Sequence, residues 1–328
     1  MITLSAAFAT AMATPEHVSA AEALGYERAW LYDSPALYPD VWVMLARAAE
    51  LTERIGLGPA VLVPSLRHPM VNAAAIATLE ALAPGRVAVA LGAGFTGRYV
   101  LGQKPMRWAD VAEYVGALRA LLRGEETTWD GAPIRMLHPD GFGAARPVEV
   151  PILVGADGPK GLAVAGQLAD GVFSAGQPIE GDGPAWRALL AFGTVLGPTE
   201  SPTDERVLDA AGHGLAVVYH AMYERGGADA VDQLPGGAEW RAGVEAAEPG
   251  RRHLLTHENH LISMTERDRR ALEEGGAELL TSASFTGSAA ELRERVAQLE
   301  GAGVTELAYQ PAGPDIPGEL ARMRDALS

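Results

Sequence analysis

Residues Pro151-Ile-Leu-Val-Gly-Ala-Asp-Gly-Pro-Lys160, running on into Gly161-Leu-Ala-Val-Ala-Gly-Gln-Leu-Ala-Asp-Gly171, carry an apolar run, a glycine-rich break and a helix start in that order. Ile152 to Val154 reads as a strand buried on both faces, Gly155 and Gly158 as a turn, and Pro159 as the first helical residue. Proline suits that position because its fixed φ is helical and the N–H it lacks would have had no helical partner. The N–H groups of a helix's first turn lack partners inside the helix, and glycines ahead of them let a ligand reach the main chain. Lys160 adds a positive charge beside them. Two readings stand: a phosphate of a nucleotide-like or flavin-like cofactor held at a strand-to-helix turn, or a tight loop whose glycines serve geometry alone.

The same rhythm extends in both directions. Upstream, Ile2 to Phe8 is strand-like, and a helix is expected over Pro15 to Leu24 with Thr14 as its N-cap. Arg28 to Tyr32, Ile55 to Val63 and Val87 to Leu91 read as strands, with helices at Val41 to Thr52, Met70 to Leu82 and Trp108 to Leu122. Downstream come a helix at 159–168, a strand at 171–174, another within Ala188 to Leu196, a helix from Ala289 to Leu299, a strand from Glu306 to Tyr309 and a last helix to Leu327. Trp129-Asp130-Gly131 marks a hairpin turn, and 207–280 is largely helical and irregular.

Eight strands alternating with helices leave a closed eightfold barrel or an open doubly wound sheet. An open sheet usually carries its glycine fingerprint after the first strand, yet that turn here is Ala9-Thr10-Ala11-Met12-Ala13. The glycines follow the third, fourth and fifth strands instead, at Gly58, at Gly92 and Gly94, and at Gly155 and Gly158. The expected fold is therefore an α/β (β/α)8 TIM barrel, one domain over 1–328 with insertions at about 125–147 and 198–285.

The chain has 328 residues, 48% of them hydrophobic, enough for one large core. A net charge of −16 argues against nucleic acid or an anionic membrane as partner. The absence of cysteine excludes disulfides, thiolate metal sites and cysteine nucleophiles, and fits a cytoplasmic location. The first residues lack a basic leader region, and no apolar stretch approaches the ~18 residues of a membrane span.

Several segments together resemble the luciferase-like family of flavin- and coenzyme F420-dependent oxidoreductases. They are Ala20-Ala-Glu-Ala-Leu-Gly-Tyr26, Trp30-Leu-Tyr-Asp33, Thr52-Glu-Arg-Ile-Gly-Leu-Gly58, Arg67-His-Pro69 and Ala77-Thr-Leu-Glu-Ala-Leu-Ala-Pro-Gly-Arg86. Leu91-Gly-Ala-Gly94, Trp108 with Glu113-Tyr-Val115, Gly124-Glu125, the 155–160 turn, Ala169-Asp-Gly171 and Gly301-Ala-Gly-Val304 follow in the family's order. The resemblance covers 1–124, 148–174 and 286–310, and is poor over 125–147 and 198–285. It implies a barrel that binds a flavin or deazaflavin at the C-terminal strand ends, in a homodimer. It also implies cofactor contacts from Asp33, from a non-proline cis peptide at Ala60-Val61, and from the Gly155, Ala156, Asp157, Gly158, Pro159, Lys160 turn. The chain departs from the commoner forms at Ser34 and at Phe95-Thr96.

Asp33, at the end of the second strand, is expected to touch the cofactor or to act as acid or base; its competing role is a helix N-cap. Gly92 and Gly94 let backbone approach the cofactor, and Thr96 offers a hydroxyl. His68 before Pro69 reads as a cap, and His220 as a core histidine. His257 and His260, in Thr256-His-Glu-Asn-His260, are candidate proton donors, because imidazole exchanges protons near neutral pH. His138 is a weaker candidate for the same role. His-x-x-His lacks the i, i+4 spacing of helical zinc sites and shows no third ligand, so no metal is expected.

These readings converge on an oxidoreductase that moves a hydride between coenzyme F420 and a small organic substrate. The alternatives are an FMN-dependent monooxygenase using dioxygen and, from another class, a cofactor-free barrel hydrolase or isomerase. The Gly-Pro-Lys turn favours the deazaflavin, and the scarcity of carboxylates at strand ends disfavours the hydrolase.

Overall fold

The computed structural model describes residues 2–179 and 183–328. Its strands are β1 (Thr3–Phe8), β2 (Arg28–Leu31), β3 (Gly56–Pro59), β4 (Val89–Gly92), β5 (Thr127–Trp129), β6 (Ala132–Ile134), β7 (Ile152–Gly155), β8 (Gly171–Ser174), β9 (Trp186–Phe192), β10 (Val195–Leu196), β11 (Gly287–Ser288) and β12 (Glu306–Gln310). Eight of them form one parallel sheet in the order β3-β2-β1-β12-β9-β8-β7-β4. Single bridges from Leu57 to Val87 and from Leu62 to Leu91 draw its two edges together, giving the expected (β/α)8 barrel. Gly58 marks this seam: a Cβ there would lie 2.0 Å from the carbonyl oxygen of Ala88, so only a bare backbone lets β3 come this close to the chain leading into β4.

The helices begin with α1 (Thr14–Ala23), α2 (Val41–Leu51), α3 (Pro69–Leu82), α4 (Thr96–Tyr99), α5 (Trp108–Arg123) and α6 (Pro159–Leu168). Asp40 caps α2, its carboxylate accepting from the amides of Trp42 and Val43. Thr14 differs from its expected role. It lies inside α1, and its hydroxyl accepts from the Ala11 amide, bracing the entering turn. The expected hairpin is present as β5 and β6, with Asp130 and Gly131 both at positive φ, as a two-residue turn with this twist demands.

The chain folds into two compact units. The first comprises 1–97, 104–190 and 302–308, and the second 98–103, 191–301 and 309–328. The 125–147 segment lies in the first unit and 198–285 in the second. In the second, α7 (Glu205–Val231), broken at Gly227, is followed by α8 (Gly237–Glu245), α9 (Arg252–Thr256) and α10 (Glu266–Glu273). They pack around Val207, Leu215, Tyr219, Trp240, Leu272 and Leu280. The strand expected within Ala188 to Leu196 is split. Gly193 packs against the Phe285 backbone and ends β9, and β10 then pairs with β11.

At the N-terminal ends of the barrel strands, the buried carboxylate of Glu306 accepts from the indole N–H groups of Trp30 (2.7 Å) and Trp186 (2.6 Å). The Arg28 guanidinium lies 5.3 and 4.9 Å from the centroids of the same two rings. Burial lowers the pKa of Arg28, and the Glu306 charge opposes that shift. A buried carboxylate is tolerated here because both oxygens are hydrogen-bonded and a cation is near. Glu306→Gln offers a single acceptor oxygen to two indole donors. It should destabilise the chain by about 1–3 kcal/mol, read as a lower urea midpoint with an unchanged slope. An unchanged midpoint would show that the indoles do not depend on the carboxylate.

Candidate functional site

The C-terminal ends of β3, β4 and β7 meet around one side chain. Beyond β3, the Ala60 amide donates to the Leu31 carbonyl, and the Ala60-Val61 peptide is cis, at the position the sequence indicated. Gly92 and Gly155 stand opposite each other in the β4–β7 register. A Cβ on Gly92 would lie 2.8 Å from Val61 Cγ2, and one on Gly155 would lie 2.5 Å from Val61 Cγ1. The space above both glycines therefore belongs to the Val61 isopropyl group. The structure brings Ala60, Val61, Gly92 and Gly155 together.

Asp33 follows β2, is buried, and accepts from Arg67 Nη1 at 2.8 and 2.6 Å. The other guanidinium nitrogen of Arg67 donates to Asp40 at 2.8 Å. The main chain of Arg67 is held in turn: Tyr114 donates to its carbonyl at 2.9 Å, and Asn72 donates to the Tyr114 hydroxyl. Burial raises the Asp33 pKa, and the hydrogen bonds and charge of Arg67 offset that only in part. Burial also opposes the charge of Arg67, but Asp33 and Asp40 outweigh it and raise its pKa. Charged partners on both sides keep the guanidinium ionised, and its fork fixes the Asp33 carboxylate in one orientation. Asp33 does not cap the following helix, since Asp40 does that.

Gly94 has a φ of 80°, and the turn it makes leads into Thr96 and Gly97. A Cβ on Gly97 would lie 3.1 Å from Val63 and 3.3 Å from the Asp33 carbonyl oxygen, so this turn sits tightly against the end of β2. Sequence reasoning gives Arg67 no role of its own, although it belongs to the Arg67-His-Pro69 motif. It lies 34 residues from Asp33, and only the fold shows that the two meet.

In the 155–160 turn, Ala156 is buried and Asp157, Gly158, Pro159 and Lys160 are exposed. The Asp157 carboxylate accepts from the amides of Ala175 (2.9 Å) and Gly176 (3.3 Å), tying the turn to the end of β8. Gly158 is the N-cap of α6, offers no capping side chain, and has nothing within 4 Å of where a Cβ would be. Gly161 has a geometric role, because a Cβ there would lie 2.5 Å from the Trp108 ring. The start of α6 thus offers main-chain N–H groups, an open approach and the Lys160 ammonium to an anion.

His257 and His260 come together with His220. Their exposures are 0, 2 and 1%, and one ring nitrogen from each lies within 4.8 Å of the others. His220 Nδ1 and His260 Nδ1 are 2.7 Å apart, and His257 Nε2 is 3.3 Å from Glu224 Oε1. Burial, followed by the neighbouring imidazoles, pushes the pKa of both His220 and His260 well down. His68 is the N-cap of α3, accepting from the Met70 amide at 3.1 Å, and His138 is half-buried in the 125–147 segment.

A family model described as luciferase-like monooxygenase matches residues 3–306. A 5,10-methylenetetrahydromethanopterin reductase of Archaeoglobus fulgidus is 29% identical over 319 residues, covering 91% of this chain and 90% of that protein. An F420-dependent glucose-6-phosphate dehydrogenase of Beutenbergia cavernae is 39% identical over 149 residues, 42% of this chain and 41% of its own length. Among solved structures, a coenzyme F420-dependent tetrahydromethanopterin reductase from Methanopyrus kandleri superposes with a TM-score of 0.66 over 99% of this chain and 98% of that one. At 19% identity, that likeness speaks to the fold. With a match spanning nearly its whole length, the chain belongs to the luciferase-like monooxygenase family and is an oxidoreductase.

Proposed function

We propose that the chain binds coenzyme F420 at the C-terminal rim of the barrel and transfers a hydride between it and a small organic substrate. The observation that carries this reading is the open start of α6, directly beyond the junction of Val61, Gly92 and Gly155. The donor set suits a phosphate: main-chain amides at a helix N-terminus, an exposed lysine and no competing carboxylate cap. Asp157 is occupied by the β8 amides, which keeps its charge turned to the loop. The F420-dependent dehydrogenase relative supports the choice of cofactor.

When bound, the deazaflavin ring supplies or accepts the hydride, so no side chain need change its oxidation state. The chain contributes shape, charge and the exclusion of water. Val61 presents an apolar wall in front of two bare strand ends. Arg67, fixed by Asp33 and Asp40, gives the rim a cation that cannot swing away. Asp33 serves as the positioning residue for that cation. Family membership sets aside the cofactor-free hydrolase or isomerase. FMN with dioxygen is the second reading, favoured by the monooxygenase description of the family, and it would use the same turn.

Titration with F420 and with FMN, followed by cofactor fluorescence, separates the two. Saturable binding of F420 well below the FMN range is expected; tight FMN binding with flavin-dependent oxygen consumption, and none of F420, would reverse the order. Lys160→Ala should weaken F420 binding about 2- to 5-fold at low salt and progressively less as salt rises, the behaviour of a screened charge acting on an anion. Gly155→Ala should weaken it at least about tenfold by forcing Val61 aside, and Val61→Ala in the same chain should restore part of that loss. Purely additive effects would break the link between Val61 and the cofactor.

A further inference from the structure

We propose that His220, His257 and His260 form a binding site for one zinc ion, held within the second unit and separate from the cofactor reading. The three rings are almost wholly inaccessible, yet they are grouped against one another instead of being dispersed among apolar side chains. Neutral imidazole is the form that ligates a metal. Three nitrogens around a tetrahedral zinc, each at ~2.0–2.1 Å, are ~3.3 Å apart from one another. The observed spread of up to 4.8 Å, with His220 Nδ1 and His260 Nδ1 at 2.7 Å, is close to that arrangement. Opening the short pair by about half an ångström and drawing His257 inward would complete it. The ion then takes the place of the His220–His260 hydrogen bond, both Nδ1 lone pairs point to it, and each ring carries its proton on Nε2.

The surroundings support the same assignment. His220 and Glu224 are one turn apart on α7, and Glu224 reaches His257 Nε2 at 3.3 Å. A carboxylate on the far side of a ligating imidazole orients the ring and raises its basicity. His260 sits between Asn259 (φ 56°) and Leu261 (φ 59°). Left-handed backbone is costly for leucine, so this turn is held by its surroundings in the form that turns His260 inward. A cleft of ≈ 650 Å³, lined by Trp240, Glu258, Asn259, Met264 and Arg267 among others, runs beside this turn. Three nitrogen donors without thiolate suit zinc, which tolerates three histidines with the fourth position left to water.

The full chain, stripped with a chelator, is titrated with ZnCl2 against a chromogenic competitor and with CoCl2 by visible absorption. One saturable ion per chain is expected, with intense cobalt bands of four-coordinate type and a thermal midpoint that rises with zinc concentration. His220→Gln and His257→Gln should each weaken zinc binding at least about tenfold, Glu224→Gln about 10- to 100-fold, and His138→Gln not at all. Zinc uptake that is absent, or that is unchanged in His220→Gln, overturns the proposal. If the buried variants fail to fold, the unsubstituted chain decides: weak octahedral cobalt bands mean surface binding and overturn it, and intense four-coordinate bands support it.

Discussion

The isopropyl group of Val61 fills the space in which β4 and β7 would otherwise carry side chains. Because Gly92 and Gly155 face each other in register, one side chain from the β3 turn can close over both strands at once. Substituting either glycine puts a Cβ within 2.8 Å of a Val61 methyl carbon, which would have to shift. The β7 turn and the start of α6 follow directly from Gly155, beside that contact. Asp157 completes the linkage by binding the β8 amides, so the open helix start does not drift relative to the wall beneath it.

The geometric reading of the glycine-rich stretch holds at two of its glycines and fails to account for a third. Gly155 and Gly161 are glycine for geometry, the first under Val61 and the second against Trp108. Gly158 has open space before it, which is what an approaching ligand needs and what packing does not explain. A run of glycines in a linear sequence carries no mark of which is which, because each contact involves a residue dozens of positions away.

The barrel itself is legible for a local reason. Short apolar runs bounded by glycine and proline set the strands to within a few residues, and the helix over 159–168 and the strand over 171–174 coincide with expectation. The departures are non-local. β9 stops at Phe192 because Gly193 meets Phe285, a partner 92 residues on, which no periodicity reports. Arg67 carries no visible task in the sequence, since its partner Asp33 belongs to another strand's end. The histidines show the same limit: His220, which reads as core, lies 40 positions before His260, yet their Nδ1 atoms are 2.7 Å apart.

The distribution of buried charge in the first unit follows a single rule. At the N-terminal strand ends, Glu306 has both oxygens taken by indoles and Arg28 close by, a closed set with nothing left to offer a ligand. At the C-terminal ends, Arg67 is half-buried, held by two carboxylates, and α6 begins without a capping side chain. Completing the hydrogen bonding at one end rigidifies the barrel, while the uncapped helix start at the other is where the proposed anion site would lie. A net charge of −16 bears on that proposal, because an anionic cofactor would be repelled by the surface as a whole. It would gain a foothold only where fixed donors face it at short range, beneath the distance at which salt and the global field dominate.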